Sequence, residues 1–238
     1  MAPAAARDEE ARSSLTLVMI VLTAVTGLVE AVSLLALGPA FTAMQTGNLL
    51  FLSFGAAGAG HLPTLGPAVS LAAFAVGVVA GARLEAAVQA RGRRWFVVAL
   101  AAEGALIACA AVVGWGLAPH YGAPTGRQMA VTGVLACAMG MRNVTSMRVG
   151  VPGMPTTLAT RTLTAFLGSV PGHDSAFGRD TATWFRRGAS LLALFTGGAV
   201  GAAMVGAGLP VNQLLAPAAL LVLALAAYRL TRPRLSTA

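Results

Sequence analysis

The stretch Phe41–Gly55, FTAMQTGNLLFLSFG, decides how this chain is read. It is apolar enough for a membrane, yet Thr42, Gln45, Thr46 and Asn48 are polar and Gly47 interrupts its middle. A plain spanning helix has no use for TGN at its centre, and a solvated loop has no use for LLFLSF. A segment that enters and leaves the bilayer on one face needs both. Its unpaired backbone groups are tolerated only where protein or a watery cavity surrounds them. In this reading Gly47 supplies the turn. Asn48 then caps a short helix through LLFLSFGAAG.

Composition sets the solvent. A hydrophobic fraction of 57%, a charged fraction of 10% and a mean hydropathy of +0.77 describe a polytopic membrane protein. Its 238 residues leave room for about six to eight spans of roughly 20 residues. All 16 basic residues are Arg, which with abundant Ala and Gly reads as coding bias in a GC-rich bacterial genome. They are scattered between apolar runs, so the net charge of +8 is no nucleic-acid footprint and no nucleic-acid partner is expected.

Cys109 and Cys137 sit inside apolar runs without a Cys or His at ligand spacing, so neither a disulfide nor a metal site is expected. His61, His120 and His173 fall in loops. Nothing resembles a Walker loop or a Ser-His-Asp set, and the reading is of a protein that is not an enzyme and takes no cofactor.

Eight apolar runs fall at about Leu15–Leu37, Phe41–Gly60, Leu65–Ala87, Trp95–Leu117, Met129–Met147, Met154–Val170, Ala189–Leu209 and Leu214–Leu230. Arginine placement indicates which of them cross. Arg83, Arg91, Arg93 and Arg94 follow the third run, and Arg229, Arg232 and Arg234 follow the eighth. The two clusters share the cytoplasmic side only if the sixth run enters and leaves on one face. The same treatment of the second run brings Arg7 and Arg12 inside and leaves Arg127 as the one outside arginine, with Arg161 in the membrane. The expected fold is all-α: six transmembrane helices plus two short re-entrant segments, with both termini in the cytoplasm.

An internal repeat points the same way. Gly27, Glu30 and Ser33 of GLVEAVSLLALG align with Gly140, Asn143 and Ser146 of GMRNVTSMRVG. TGNL (46–49) aligns with TRTL (160–163), and Gly77 and Gly81 align with Gly197 and Gly201. Each half then holds three spans, an odd number that forces the halves into opposite orientation, as in many secondary transporters. The expected units are a polar tail (1–14), a first repeat (15–117), an extracytoplasmic linker (118–127), a second repeat (128–230) and a basic tail (231–238).

The motifs TGLVEAVSLLALGPAF and TGNLL, with MGMRN and TTLATRTLT, resemble the YoaK-type bacterial integral membrane proteins, a domain of unknown function. The resemblance runs from Thr23 onward and carries no established activity. Two positions depart from the family's usual pattern, Arg142 where Gln is common and Arg161 where Gly is common. The ligand therefore need not be the one its relatives take.

Polar residues at membrane depth are the functional candidates. Glu30 reads as a proton-coupling or substrate-contacting group, or as one half of a fixed ion pair with Arg161 or Arg142. Thr160 or Thr162 caps the second short helix, after Pro155 has broken the chain. Two helix N-termini meeting near the midplane would favour a polar or anionic ligand. The expected substrate site comprises Glu30, Gln45, Thr46, Gly47, Asn48, Arg142, Asn143, Thr160, Arg161 and Thr162. Gln45, Asn48, Asn143 and Thr160 serve equally well to satisfy exposed backbone. Glu103 is a further candidate without a partner in sequence, and the aligned glycines read as close-packing surfaces.

The expected function is a small secondary transporter or permease for a small polar or anionic solute. It would act in the bacterial cytoplasmic membrane, in contact with the lipid bilayer. The alternative is a non-transporting scaffold, sensor or complex partner. Under either reading a homo-oligomer through glycine-containing helix faces is expected.

Overall fold

The computed structural model describes residues 4–58, 64–120, 122–151, 159–169 and 181–232. Among these the chain forms eight helices and no strand: α1 Ala4–Ala36, α2 Gln45–Ala56, α3 Leu65–Ala90, α4 Trp95–Val113, α5 Gly126–Val149, α6 Ala159–Gly168, α7 Thr181–Gly206 and α8 Val211–Leu230. Each expected run holds one of them. The expected polar tail (1–14) is helical from Ala4, where α1 begins.

Five helices are long and apolar enough to cross a bilayer: α1 from Ser13, α3, α4, α7 and α8. The chain is a multi-pass helical membrane protein. With 24 residues α5 is also long enough, but Arg127, Gln128, Arg142, Asn143 and Arg148 dilute its hydropathy. Those polar groups are tolerable because α5 packs along α3 and α4 and touches α1, so protein shields much of it from lipid. It starts with a capping box between Thr125 and Gln128 and stops at Gly150, whose φ of 62° ends the helix in the left-handed region.

Backbone-close contacts fix the two main helix pairs. A methyl group at Gly77 of α3 would overlap the Cys137 carbonyl of α5, and one at Gly140 would overlap the Phe74 carbonyl. On the other side, Gly197 of α7 lies against the Ala24 carbonyl of α1, and Gly27 lies against the Leu194 carbonyl. Gly81 meets Met141, and Gly201 meets Leu28 and Ala31. Small residues let such helices approach where the bilayer offers no hydrophobic drive. These glycine faces, read from the sequence as close-packing surfaces, are thus occupied by helices of the same chain.

Hydrogen bonds identify the two ends of the bundle. At one end, Arg94 donates to the carbonyls of Arg229, Leu230 and Arg232, and Arg229 donates to Ser14. Arg148 lies 4.7 Å over the Trp95 ring at the same end. At the other, the His120 amide and the Gln128 side chain both donate to Ala36 O at 3.1 Å, and the Val211 amide donates to Leu117 O at 2.9 Å. The expected linker at 118–127 is therefore docked onto the end of α1. Arg127 closes the last turn of α4 by donating to the Val113 and Trp115 carbonyls.

Two helices, α2 and α6, are short. At ~1.5 Å per residue, α2 is about 18 Å and α6 about 15 Å long, against ~30 Å of hydrocarbon. Ser70 of α3 donates to Phe41 O at 2.5 Å, so the chain leaving α1 and the start of α3 lie at the same end. α6 covers the first turns of α7, where Phe166 stacks on Trp184 at 4.7 Å and Arg187 donates to Ala165 O and Ser169.

Candidate functional site

Two polar clusters occupy the interior, one helical turn apart along α1. The first joins α1 to the segment before α2. Glu30 Oε1 accepts from the Thr42 amide at 2.9 Å, the Thr42 hydroxyl at 2.6 Å and the Ala43 amide at 2.6 Å. Its Oε2 is buried and makes no hydrogen bond of good geometry among the described residues. Ser33 donates to Ala40 O at 2.7 Å, tying the same segment down a second time.

Asn48 continues this network from within α2. Its Oδ1 accepts from the Phe41 amide at 2.9 Å and its Nδ2 donates to Phe41 O at 2.6 Å, so the carboxamide pairs with both backbone groups of one residue as a neighbouring strand would. Asn48 Nδ2 also donates to Gln45 Oε1 at 2.7 Å. Gln45 Nε2 donates in turn to Thr42 O and to Ser70. Two expectations are corrected here. Asn48 is no N-cap, since α2 begins at Gln45 and the side chain bonds backbone seven residues behind it. Gly47 is no turn: it lies inside α2, where a Cβ would stand 2.7 Å from the Phe41 ring. Glycine is there for close approach.

The second cluster is centred on Arg142, whose residue is 1% exposed. Its Nη1 donates to Leu22 O at 2.7 Å and to the Thr26 hydroxyl at 2.8 Å, both on α1. Its Nη2 forms an ion pair with Glu103 of α4. Arg142 thereby holds three helices together, and its charge is matched inside the bundle. A third cluster lies toward the arginine-rich end, where Glu85 of α3 accepts from Thr145 and, at 3.4 Å, from Arg148.

The expected site residues separate accordingly. Glu30, Gln45 and Asn48 are brought together, with Thr46 exposed and Gly47 partly exposed beside them. Arg142 joins Glu103, and Asn143 is partly buried one residue on. Thr160 and Arg161 are exposed on α6 and Thr162 is buried. All three lie within α6, which begins at Ala159, so neither threonine sits at the N-cap position. Pro155 lies outside the described residues. α2 packs on α3 and α6 on α7, and the two short helices do not touch. Glu30 does not pair with Arg161.

Sequence reasoning missed Glu85 and the hydroxyls of Thr26, Ser70 and Thr145. Glu85 carried a legible signal, a carboxylate within an apolar run, as at Glu30. The hydroxyls carried none. Among the described residues no group of His, Cys, Asp and Glu could hold a metal ion.

Residues 18–228 match a family described as protein of unknown function (DUF1275). The chain belongs to the DUF1275 family. That agrees with the YoaK-type resemblance of its motifs. No curated protein and no solved structure matches it. In this DUF1275 protein Asn48 of the TGN motif bonds the chain between α1 and α2, and Ser70 bonds that same chain to α3. Among the described residues the buried charges lie on α1, α3, α4, α5 and, at the arginine-rich end, α8.

Proposed function

We propose that this DUF1275 protein is a small secondary transporter or permease, with six spans (α1, α3, α4, α5, α7 and α8) arranged as two inverted repeats. One observation carries the reading: the helix contacts recur in register. Gly77 faces Cys137 as Gly197 faces Ala24, Gly140 faces Phe74 as Gly27 faces Leu194, and Gly81 faces Met141 as Gly201 faces Leu28. Each pair superposes on the other under the sequence alignment of the halves. The partner helices follow: α3 on α5 matches α7 on α1, and α2 on α3 matches α6 on α7. Asn48 and Thr162, aligned in sequence, are the buried residues of the two short helices.

An inverted repeat allows alternating access, because two packings related by the pseudo-twofold axis have similar energy and open to opposite sides. The solute path in this proposal runs between α1 and α5, which touch at the centre and carry the most polar buried faces. The substrate is a small polar solute. Support for an anion is weak, since Arg142 is balanced by Glu103 and Arg161 is exposed on a peripheral helix. The arginine-rich end is assigned to the cytoplasm of a bacterium, with both termini there.

A second reading, a non-transporting membrane scaffold, is favoured by the internal bonding of Gln45, Asn48 and Arg142, which leaves few polar atoms for a solute. Metabolite-resolved uptake by proteoliposomes, compared with protein-free vesicles, separates the two. Selective uptake of one solute class supports transport, and identical profiles across a broad metabolite mixture sink it.

A further inference from the structure

Glu30 holds a carboxyl group whose two oxygens are treated unequally. Three donors converge on Oε1, from Thr42 and Ala43, and the Met44 amide also faces the carboxyl group, while Oε2 is buried and makes no hydrogen bond of good geometry among the described residues. A carboxylate with one buried, unpaired oxygen needs a positive charge nearby, and the elements around α1 supply none at this level. From α5 comes Arg142, committed one turn away to Leu22, Thr26 and Glu103. α7 meets α1 here through Gly201, while its Arg186 and Arg187 lie near its start at the arginine-rich end. α8 brings Arg229 only to that same distant end, on Ser14. The chain from 37 to 56 carries no charged residue.

A metal cation does not fit, because hard cations are ringed by oxygen ligands and the groups facing Glu30 are mostly N–H donors. We propose that Oε2 of Glu30 is an exchangeable proton-binding site, and that the proton is the coupling ion of the transport cycle. The proposal rests on the transporter reading for its second half only. The aligned position in the other repeat is Asn143, an amide that cannot exchange a proton in this way, so the site is single in each chain.

The coupling route is visible in the bonds. Thr42 and Ala43 hold Glu30, Thr42 O accepts from Gln45, and Phe41 pairs with Asn48. Ionisation passes the Oε2 proton to a water molecule and leaves a charge in a buried site. That charge is stabilised only when segment 37–44 shifts to admit water or to turn a donor toward Oε2. Protonation lets the segment close again. The state of one carboxyl group therefore sets the position of the strap over the end of α1.

Two measurements on the full chain test this. In pH-titrated infrared difference spectra of the purified protein, a protonated-carboxyl C=O band should appear and disappear with pH and be missing in Glu30→Gln. Thr42→Val, which removes one hydrogen bond from Oε1, should move that band to higher frequency, and it identifies the group even if Glu30→Gln fails to fold. In proteoliposomes, uptake of the solute found for the wild type should rise with an imposed pH gradient, and this response should vanish in Glu30→Gln. A titrating band assigned to Glu30, in a protein that moves no solute, keeps the proton site and ends the transport reading. No titrating band, a band unchanged in both variants, or an undiminished pH response in Glu30→Gln overturns the proposal.

Discussion

Gly197 of α7 lies against the carbonyl of Ala24, and Gly77 of α3 lies in the same way against the carbonyl of Cys137. In both places the neighbour is helix backbone, which cannot rotate aside as a side chain can. Alanine at either position must push two helices apart. Overpacking of this kind costs about 1–3 kcal/mol, and the two substitutions should lower thermal stability by similar amounts. Gly133→Ala is the control, because its Cβ would meet Val69 at an ordinary 3.6 Å. That change should be neutral or slightly stabilising, since alanine gains about 1 kcal/mol over glycine within a helix. Melting curves in detergent that rank Gly133→Ala with the other two would show that the packing is looser than described.

The Arg142–Glu103 pair predicts a different pattern. Glu103→Gln strands the guanidinium and Arg142→Gln strands the carboxylate, and breaking a buried pair costs roughly 3–5 kcal/mol. The double variant removes both charges and keeps hydrogen-bonding side chains in place, so it should recover most of that loss. A double-mutant cycle in thermal or denaturant unfolding reads the coupling directly. Additive losses would mean that the two groups act independently.

What was legible in the sequence follows from what hydropathy measures. Eight apolar runs became eight helices because length and apolarity report how a helix meets lipid, and lipid is the same everywhere along the chain. The aligned glycines were legible because close helix approach demands glycine itself. The polar partners were not. Glu30 is held mainly by amide N–H groups, which almost any residue at 42 and 43 would supply, so nothing in the sequence marks the pairing. Asn48 likewise recognises a peptide group at Phe41, not a side chain. The alternative that pairs Arg142 with Glu30 is one turn off along α1, because Glu103 becomes the neighbour of Arg142 only through the packing of α4 on α5.

Asn48 distinguishes a cap from the pairing observed. A cap needs only an acceptor, so Asn48→Asp would preserve it. The pairing needs an acceptor toward the Phe41 amide and a donor toward its carbonyl, and aspartate turns an oxygen against Phe41 O and Gln45 Oε1. Asn48→Ala loses hydrogen bonds worth about 0.5–1.5 kcal/mol each. Asn48→Asp should destabilise at least as much at neutral pH. Unfolding measured on both variants decides it, and an Asp variant as stable as the wild type would return Asn48 to the role of a cap.

The last prediction concerns where the chain crosses. Phe41 accepts from Ser70, and Gly66 comes within ordinary contact of Ala40, so the end of α1 and the start of α3 lie together although α2 stands between them in sequence. Arg94 reaches the last carbonyls of α8 at the opposite end. Single cysteines at Pro39 and at Thr64, placed in a variant lacking Cys109 and Cys137, should therefore react with an impermeant thiol reagent from one side of the membrane. Cysteines at Arg93 and Arg232 should react from the other, which is the cytoplasmic side in the proposed orientation. Labelling right-side-out and inverted vesicles in parallel gives each site its own control. If Pro39 and Thr64 label from opposite faces, α2 crosses the bilayer, the halves hold unequal numbers of spans, and the inverted repeat falls with them.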